Sequence, residues 1–110
     1  QEIKTYMIFH NKNMIGGIEL RDFNEYSCEL GYWLGKKYWG KGFATEAVGR
    51  ILELGFSELN LSNIYAAYKI GNEASKKVLE KSGFKFYRSK EEFDSVLEKN
   101  EQLIEMVIRK

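Results

Sequence analysis

At 110 residues with 17 Lys+Arg against 16 Asp+Glu, the chain has the size of a single domain (1–110) and a net charge of +1, too balanced for a global nucleic-acid footprint. Its 44% hydrophobic and 15% aromatic content excludes disorder and suffices for a core without disulfide or metal staples. No apolar run approaches the ~18 residues of a membrane-crossing helix, so neither nucleic acid nor membrane is an expected partner.

The single cysteine, Cys28, forbids an internal disulfide and fits a reducing cytoplasm; packing is its expected role. The single histidine, His10, leaves too few soft ligands for a zinc site, and it stands beside a predicted turn, a poor place for a triad base. No metal is expected. With no proline in the chain, turns must come from Gly, Asn, Asp and Ser.

The alternation of Thr5 to His10 predicts a strand, Asn11-Lys12-Asn13 a turn, and Met14 to Leu20 the return strand of a hairpin. Strict alternation puts Met14, Gly16, Ile18 and Leu20 on one face, and Ile15, Gly17 and Glu19 on the other. Arg21 to Tyr26 is polar and loop-like. Ser27 to Leu34 is a third strand, with Cys28, Leu30, Tyr32 and Leu34 opposite Glu29, Gly31 and Trp33. Gly35 to Gly42 breaks the pattern with three glycines and three lysines. The period then switches: Ala44, Ala47, Val48, Ile51, Leu52, Gly55, Phe56 and Leu59 fit an amphipathic helix of about four turns.

Asn60 to Asn63 is an exit turn and Ile64 to Ile70 a strand. Asn72 caps a second helix with Glu73 in its first turn and Ala74, Val78 and Leu79 as its stripe; Gly83 stands where a left-handed C-terminal cap belongs. Phe84 to Arg88 and Leu103 to Arg109 read as strands. Between them, Phe93, Val96 and Leu97 within Glu91 to Asn100 suit either a helical turn or a long hairpin loop. The order β-β-β-α-β-α-β-β predicts an α/β mixture with a mainly antiparallel start, and a parallel pair where the third and fourth strands flank a helical crossover.

A strand, a glycine loop and a helix aim backbone N–H groups and a helix dipole at a phosphate. Gly35 to Gly42 approaches the G-x-x-x-x-G-K-[ST] pattern of nucleotide hydrolases, but Gly42 lacks the hydroxyl that magnesium needs. The dinucleotide pattern G-x-G-x-x-G fits Gly40 and Gly42 and fails at Thr45. A third reading, Lys37-x-x-Gly40-x-Gly42 followed by Phe43-Ala44-Thr45-Glu46-Ala47, resembles the pyrophosphate motif of the GNAT acetyltransferases, with Lys37 in place of the usual Gln or Arg. The wider string Gly31-Tyr32-Trp33-Leu34 … Tyr38-Trp39-Gly40-Lys41-Gly42 looks most like the Rim-type N-acetyltransferases, best known for acetylating ribosomal-protein N-termini. A second block at the next strand-to-helix boundary, Asn72-Glu73-Ala74-Ser75 … Leu79-Glu80-Lys81-Ser82-Gly83-Phe84, supports the resemblance.

That resemblance implies a mixed, mainly antiparallel sheet with a central parallel pair and packed helices. It also implies acetyl-CoA as cosubstrate and direct transfer to an amine acceptor, a protein N-terminus or small amine. Loop amides from Trp39 to Thr45, through Gly40, Lys41, Gly42, Phe43 and Ala44, would hold the diphosphate, with Lys37 adding charge. Trp33 and Leu34 would lie along the pantetheine arm, where a backbone N–H could stabilise the thioester oxyanion. Asn72 would meet a pantetheine amide, though a helix cap explains it equally well.

A lysine-like amine is neutral about once in 2,500 at pH 7, a deficit of ~4.6 kcal/mol; an α-amine lacks only ~1 kcal/mol. Glu29 is the candidate base, or simply the exposed residue of an alternating strand. The leaving thiolate needs a proton. Where many family members place a tyrosine this chain has Leu79, which argues against the polyamine-acetylating branch. Rim-type members offer a serine at the position of Ser75, which could also be a capping residue. Family members begin with a strand and a helical pair ahead of the hairpin, so the Gln1 start reads as an N-terminally truncated domain. Such a chain would be better equipped for cofactor than for acceptor, and its uncovered sheet edge could be closed by a second copy as a homodimer. A CoA-binding module without activity is the alternative.

Overall fold

The structure is a computed structural model describing residues 2–110; Gln1, and with it the reading of the chain start, lies outside the described residues. The elements run β1 (Lys4–His10), β2 (Asn13–Arg21), β3 (Ser27–Leu34), α1 (Phe43–Ser57), β4 (Asn63–Lys69), α2 (Glu73–Lys81), β5 (Lys85–Asp94) and β6 (Lys99–Arg109). They form a six-stranded sheet in the order β1-β2-β3-β4-β6-β5, antiparallel except for the parallel pair β3–β4. The expected mixed fold is therefore the one observed.

The first hairpin turns on Asn11 and Lys12 alone, both at positive φ (49° and 69°), because that backbone twist matches the flanking strands. Its register breaks between Ile8, opposite Gly16, and Phe9, opposite Met14, so Ile15 is an extra residue in β2. This bulge corrects the strict alternation read from the sequence. Met14 moves to the face of Met7 and Phe9 and is 51% exposed, while Ile15 turns inward and is 2% exposed.

The core lies on the other face, where Ile18, Leu20, Cys28, Leu30, Ile64 and Ala66 meet Val48, Ile51 and Leu52 of α1 and Leu79 of α2. Burial pushes the Cys28 thiol up to about 11, as befits a packing residue. Gly83, at φ +103°, follows the last turn of α2 as expected.

Residues 91–100 resolve in favour of the hairpin. β5 and β6 pair from Lys85 opposite Val107 to Asp94 opposite Lys99, and the Asp94 carboxylate accepts the N–H groups of Val96 and Leu97 at 2.9 and 3.1 Å. Those bonds, that of Leu97 foremost, hold the Asp94 carboxyl below its ordinary pKa. Strands extend past Arg88 and begin before Leu103 because cross-strand polar pairs such as Gln102–Glu91 stabilise this arm. Such pairs leave no apolar periodicity to read. Among the described residues no helix is long and apolar enough to cross a membrane.

Candidate functional site

β3 and β4 pair only through Ser27–Asn63, Cys28–Ile64 and Glu29–Tyr65. Beyond that point Leu30–Leu34 stays paired to β2, Ala66–Lys69 stays paired to β6, and the two segments diverge. Peptide groups along a strand point alternately to its two edges, so the facing edges of the wedge carry N–H and C=O groups without a strand partner. A cleft of about 400 Å³ fills the wedge. Its walls include Leu30, Tyr32, Ala66, Ser75 and Leu79 from the helix-covered side, and Glu19, Arg21, Gly31 and Trp33 from the open side. Residues of both phases line one cleft, so it passes through the sheet.

Two loops leave the diverging, C-terminal ends of this parallel pair, and each opens a helix, the arrangement in which α/β sheets bind ligands. After β3, a single 3₁₀ turn at Lys36–Tyr38 leads to Gly40 (φ +74°) and Gly42 (φ +86°), the N-cap of α1. No side chain caps α1, so the N–H groups of its first turn remain open to an anion. The Trp39 indole N–H donates to the Leu34 carbonyl at 2.7 Å, tying the loop to the end of β3. The Phe43 ring packs on His10 (4.6 Å) and Tyr38 (6.0 Å), and Ala44 is buried in the core. Phe43 and Ala44 can therefore offer a ligand only their backbone. Lys41 is exposed, Lys37 is exposed with Nζ 5.3 Å from the Tyr38 ring centroid, and Thr45 is half-buried.

After β4, Asn72 caps α2: its Oδ1 accepts the Ser75 N–H at 3.1 Å. The Ser75 hydroxyl in turn accepts from the Tyr32 hydroxyl at 3.3 Å, linking α2 to β3 across the cleft. Burial raises the Tyr32 phenol above its ordinary pKa, and the bond to Ser75 opposes that only in part. Sequence reading gave Tyr32 no role. The available signal was a polar tip among the apolar residues Cys28, Leu30 and Leu34 on one face of the strand.

Glu29 stands at the closed end of the wedge and is not part of the cleft wall. Its carboxylate accepts from Arg21 Nη2 at 2.9 Å, and Lys90 Nζ lies 3.9 Å away. Arg21 Nη1 also reaches Glu19 at 3.1 Å. Partial burial alone would lower the Arg21 pKa; the carboxylates of Glu29 and Glu19 outweigh it and raise the value. The sheet thus separates the two acid–base candidates. Ser75 is on the helix side, and Glu29 is on the open side behind Arg21. Trp33, 55% exposed, lies on the cleft wall; the half-buried Leu34 gives its carbonyl to Trp39.

The model of the GNAT acetyltransferase domain matches residues 1–85. The chain belongs to the GNAT acetyltransferase family. It is 41% identical over 68 residues to the uncharacterized N-acetyltransferase p20 of Bacillus licheniformis, a match covering 62% of this chain and 38% of the relative. The crystal structure of the ribosomal-protein-S5-alanine acetyltransferase from Vibrio fischeri superposes with a TM-score of 0.83 at 28% identity, over 89% of this chain and 55% of that one. A variant of the spermidine N-acetyltransferase SpeG from Vibrio cholerae gives a TM-score of 0.87 at 26% identity, over 97% and 65%. The chain spans less than half the length of the curated GNAT relatives it matches. Its glycine loop and Asn72 block flank the divergence of β3 and β4, so both sequence motifs of this GNAT domain meet at one wedge.

Proposed function

We propose that the chain binds acetyl-CoA in the wedge and takes part in transferring the acetyl group to a primary amine, a protein N-terminus or small amine, in the manner of the Rim-type members. The divergence of β3 from β4, with the glycine loop at its end, carries this reading. Backbone N–H groups between Trp39 and Thr45, including those of Gly40, Gly42, Phe43 and Ala44, receive the diphosphate, helped by the α1 dipole and the charges of Lys37 and Lys41. Trp33, Leu34 and the amide of Asn72 border the arm of the cofactor. An unpaired N–H of the Leu30–Leu34 edge faces the acyl oxygen, an effect worth roughly 3–4 kcal/mol where oxyanion donors act. Acetyl-CoA itself supplies the activated acyl group. Ser75 would return a proton to the departing sulfur, and Glu29, acting through water, would take one from the amine. The activity is assigned to the cytoplasm, in keeping with a lone, buried thiol. An uncovered edge strand, β1 or β5, could be closed by a second copy.

The engagement of Glu29 by Arg21 and Lys90 favours a second reading, CoA binding without turnover. Titration with CoA followed by thiol release from acetyl-CoA over a panel of amines separates the two. Absence of CoA binding to folded protein defeats both.

A further inference from the structure

This inference rests on the amine-acetylating reading above. The glycine loop, the start of α1 and Ser75 all belong to the helix side of the cleft, so an amine meeting the cofactor must arrive from the open side. The mouth there is lined by Glu19, Arg21, Gly31 and Trp33. The Arg21 guanidinium lies against β3 in the space that a side chain at residue 31 would enter: a Cβ at Gly31 would stand 2.6 Å from Nη1. From that position it spans both Glu19 and Glu29. The next carboxylate along the same face, Glu105, is 6% exposed and is held by Arg88 at 2.7 Å and Lys90 at 3.6 Å. Glu19, Glu29 and Glu105 are therefore each matched by a cation before any acceptor arrives.

A polyamine brings further ammonium groups besides the reacting nitrogen, and each must exchange water for a carboxylate that is free to receive it. A peptide N-terminus brings one amine. We propose that Arg21 sets the acceptor class: by occupying Glu19 at the open mouth and Glu29 just behind it, on the same face, it selects monoamine acceptors such as peptide N-termini and discriminates against polyamines.

The test measures kcat/KM by thiol release for spermidine and for an uncharged-side-chain peptide with a free N-terminus, in the parent chain, Arg21→Gln and Arg21→Lys. In parallel, calorimetry measures spermidine affinity for the CoA-loaded proteins. The parent is expected to favour the peptide. Arg21→Gln, which frees Glu19 and leaves Glu29 only the more distant Lys90, should raise the spermidine-to-peptide ratio and the spermidine affinity about tenfold or more, mainly through KM, while Arg21→Lys stays near the parent. A loss of folding alone lowers both substrates together. A parent that prefers spermidine, or a Gln variant whose ratio and spermidine affinity do not move, overturns the proposal. Should Arg21→Gln not fold, Gly31→Ala displaces the same guanidinium and must shift the affinity in the same direction. Turnover of neither amine by the parent refutes the transferase reading, while the calorimetric arm still decides the role of Arg21.

Discussion

Gly42 and Gly49 sit seven residues apart at the start and middle of α1, and a Cβ at either would meet nothing within 4 Å. They differ in backbone. Gly42 has φ +86°, whereas Gly49 is an ordinary helical residue. Gly42→Ala therefore forces an L side chain into the left-handed region, at a cost of about 1–2 kcal/mol. Gly49→Ala removes the entropic penalty of a mid-helix glycine and stabilises by up to ~1 kcal/mol. For a domain of this size the expected displacements in Tm are about 4–8 °C downward and about 4 °C upward. Their effects on ligand should diverge as well. A methyl at position 42 enters the open space through which a diphosphate approaches the α1 amides. Losing one charge-assisted bond there weakens CoA by about tenfold or more. Gly49→Ala should leave CoA affinity unchanged. Thermal melting and calorimetric titration of the pair provide the readouts. Parent-like CoA affinity in Gly42→Ala, despite the expected fall in Tm, refutes the assignment of the loop; an equal loss in Gly49→Ala shows that the effect is one of fold.

Trp39→Phe keeps the ring and removes the indole bond to the Leu34 carbonyl, so it should cost about 1 kcal/mol in stability and weaken CoA, as read by melting and titration. Tyr32→Phe leaves the Ser75 hydroxyl without its donor and should likewise cost about 1 kcal/mol. In the parent, ultraviolet titration should show one tyrosine ionising above the ordinary value near 10, and that late step should vanish in the variant. The Cys28 thiol is raised by burial from 9.0 to about 11, so the protonated form is the one folding favours. Its contribution is complete below pH 9 and declines as pH rises toward 11; denaturant melts across that window should show stability falling, less so in Cys28→Ala. At pH 8 the native thiol should resist alkylation and react on unfolding.

The elements legible in the sequence are those whose burial has one dominant period. Ser27–Leu34 and the α1 stripe were readable because one face of each meets the core, and Asn72 because its cap is a contact three residues long. What the sequence hid is non-local. The bulge at Ile15 depends on how β1 lies opposite β2, so no alternation within β2 reveals that Met14 and Ile15 exchange faces. The outer part of the β5–β6 arm is exposed on both faces, which removes the signal altogether. Among the candidate site residues, Gly40, Gly42, Asn72 and Ser75 stand in local motifs that the sequence displays. The partnership of Glu29 with Arg21 and Lys90 is not displayed there, because it depends on the register of β2 against β3 and on Lys90 of β5, far along the chain.

The wedge follows from how the sheet is built. β1-β2-β3 and β4-β6-β5 are each held by antiparallel ladders running the length of their strands, whereas the two halves share three parallel residue pairs. Opening the outer part of β3–β4 therefore sacrifices few hydrogen bonds, yet it leaves two strand edges needing partners inside a cleft. Water can satisfy them, as can a ligand arm that itself carries amides, as pantetheine does. Tyr32 and Ser75 bridge the gap on the helix side, and Arg21 with Lys90 spans the open side, so each face is braced by different chemistry. A hydroxyl pair on the helix side and a neutralised ionic ladder on the open side give the two faces of the cleft distinct chemistry. On the proposed function, that asymmetry is what would let a cofactor and an amine enter the same wedge from opposite sides of the sheet.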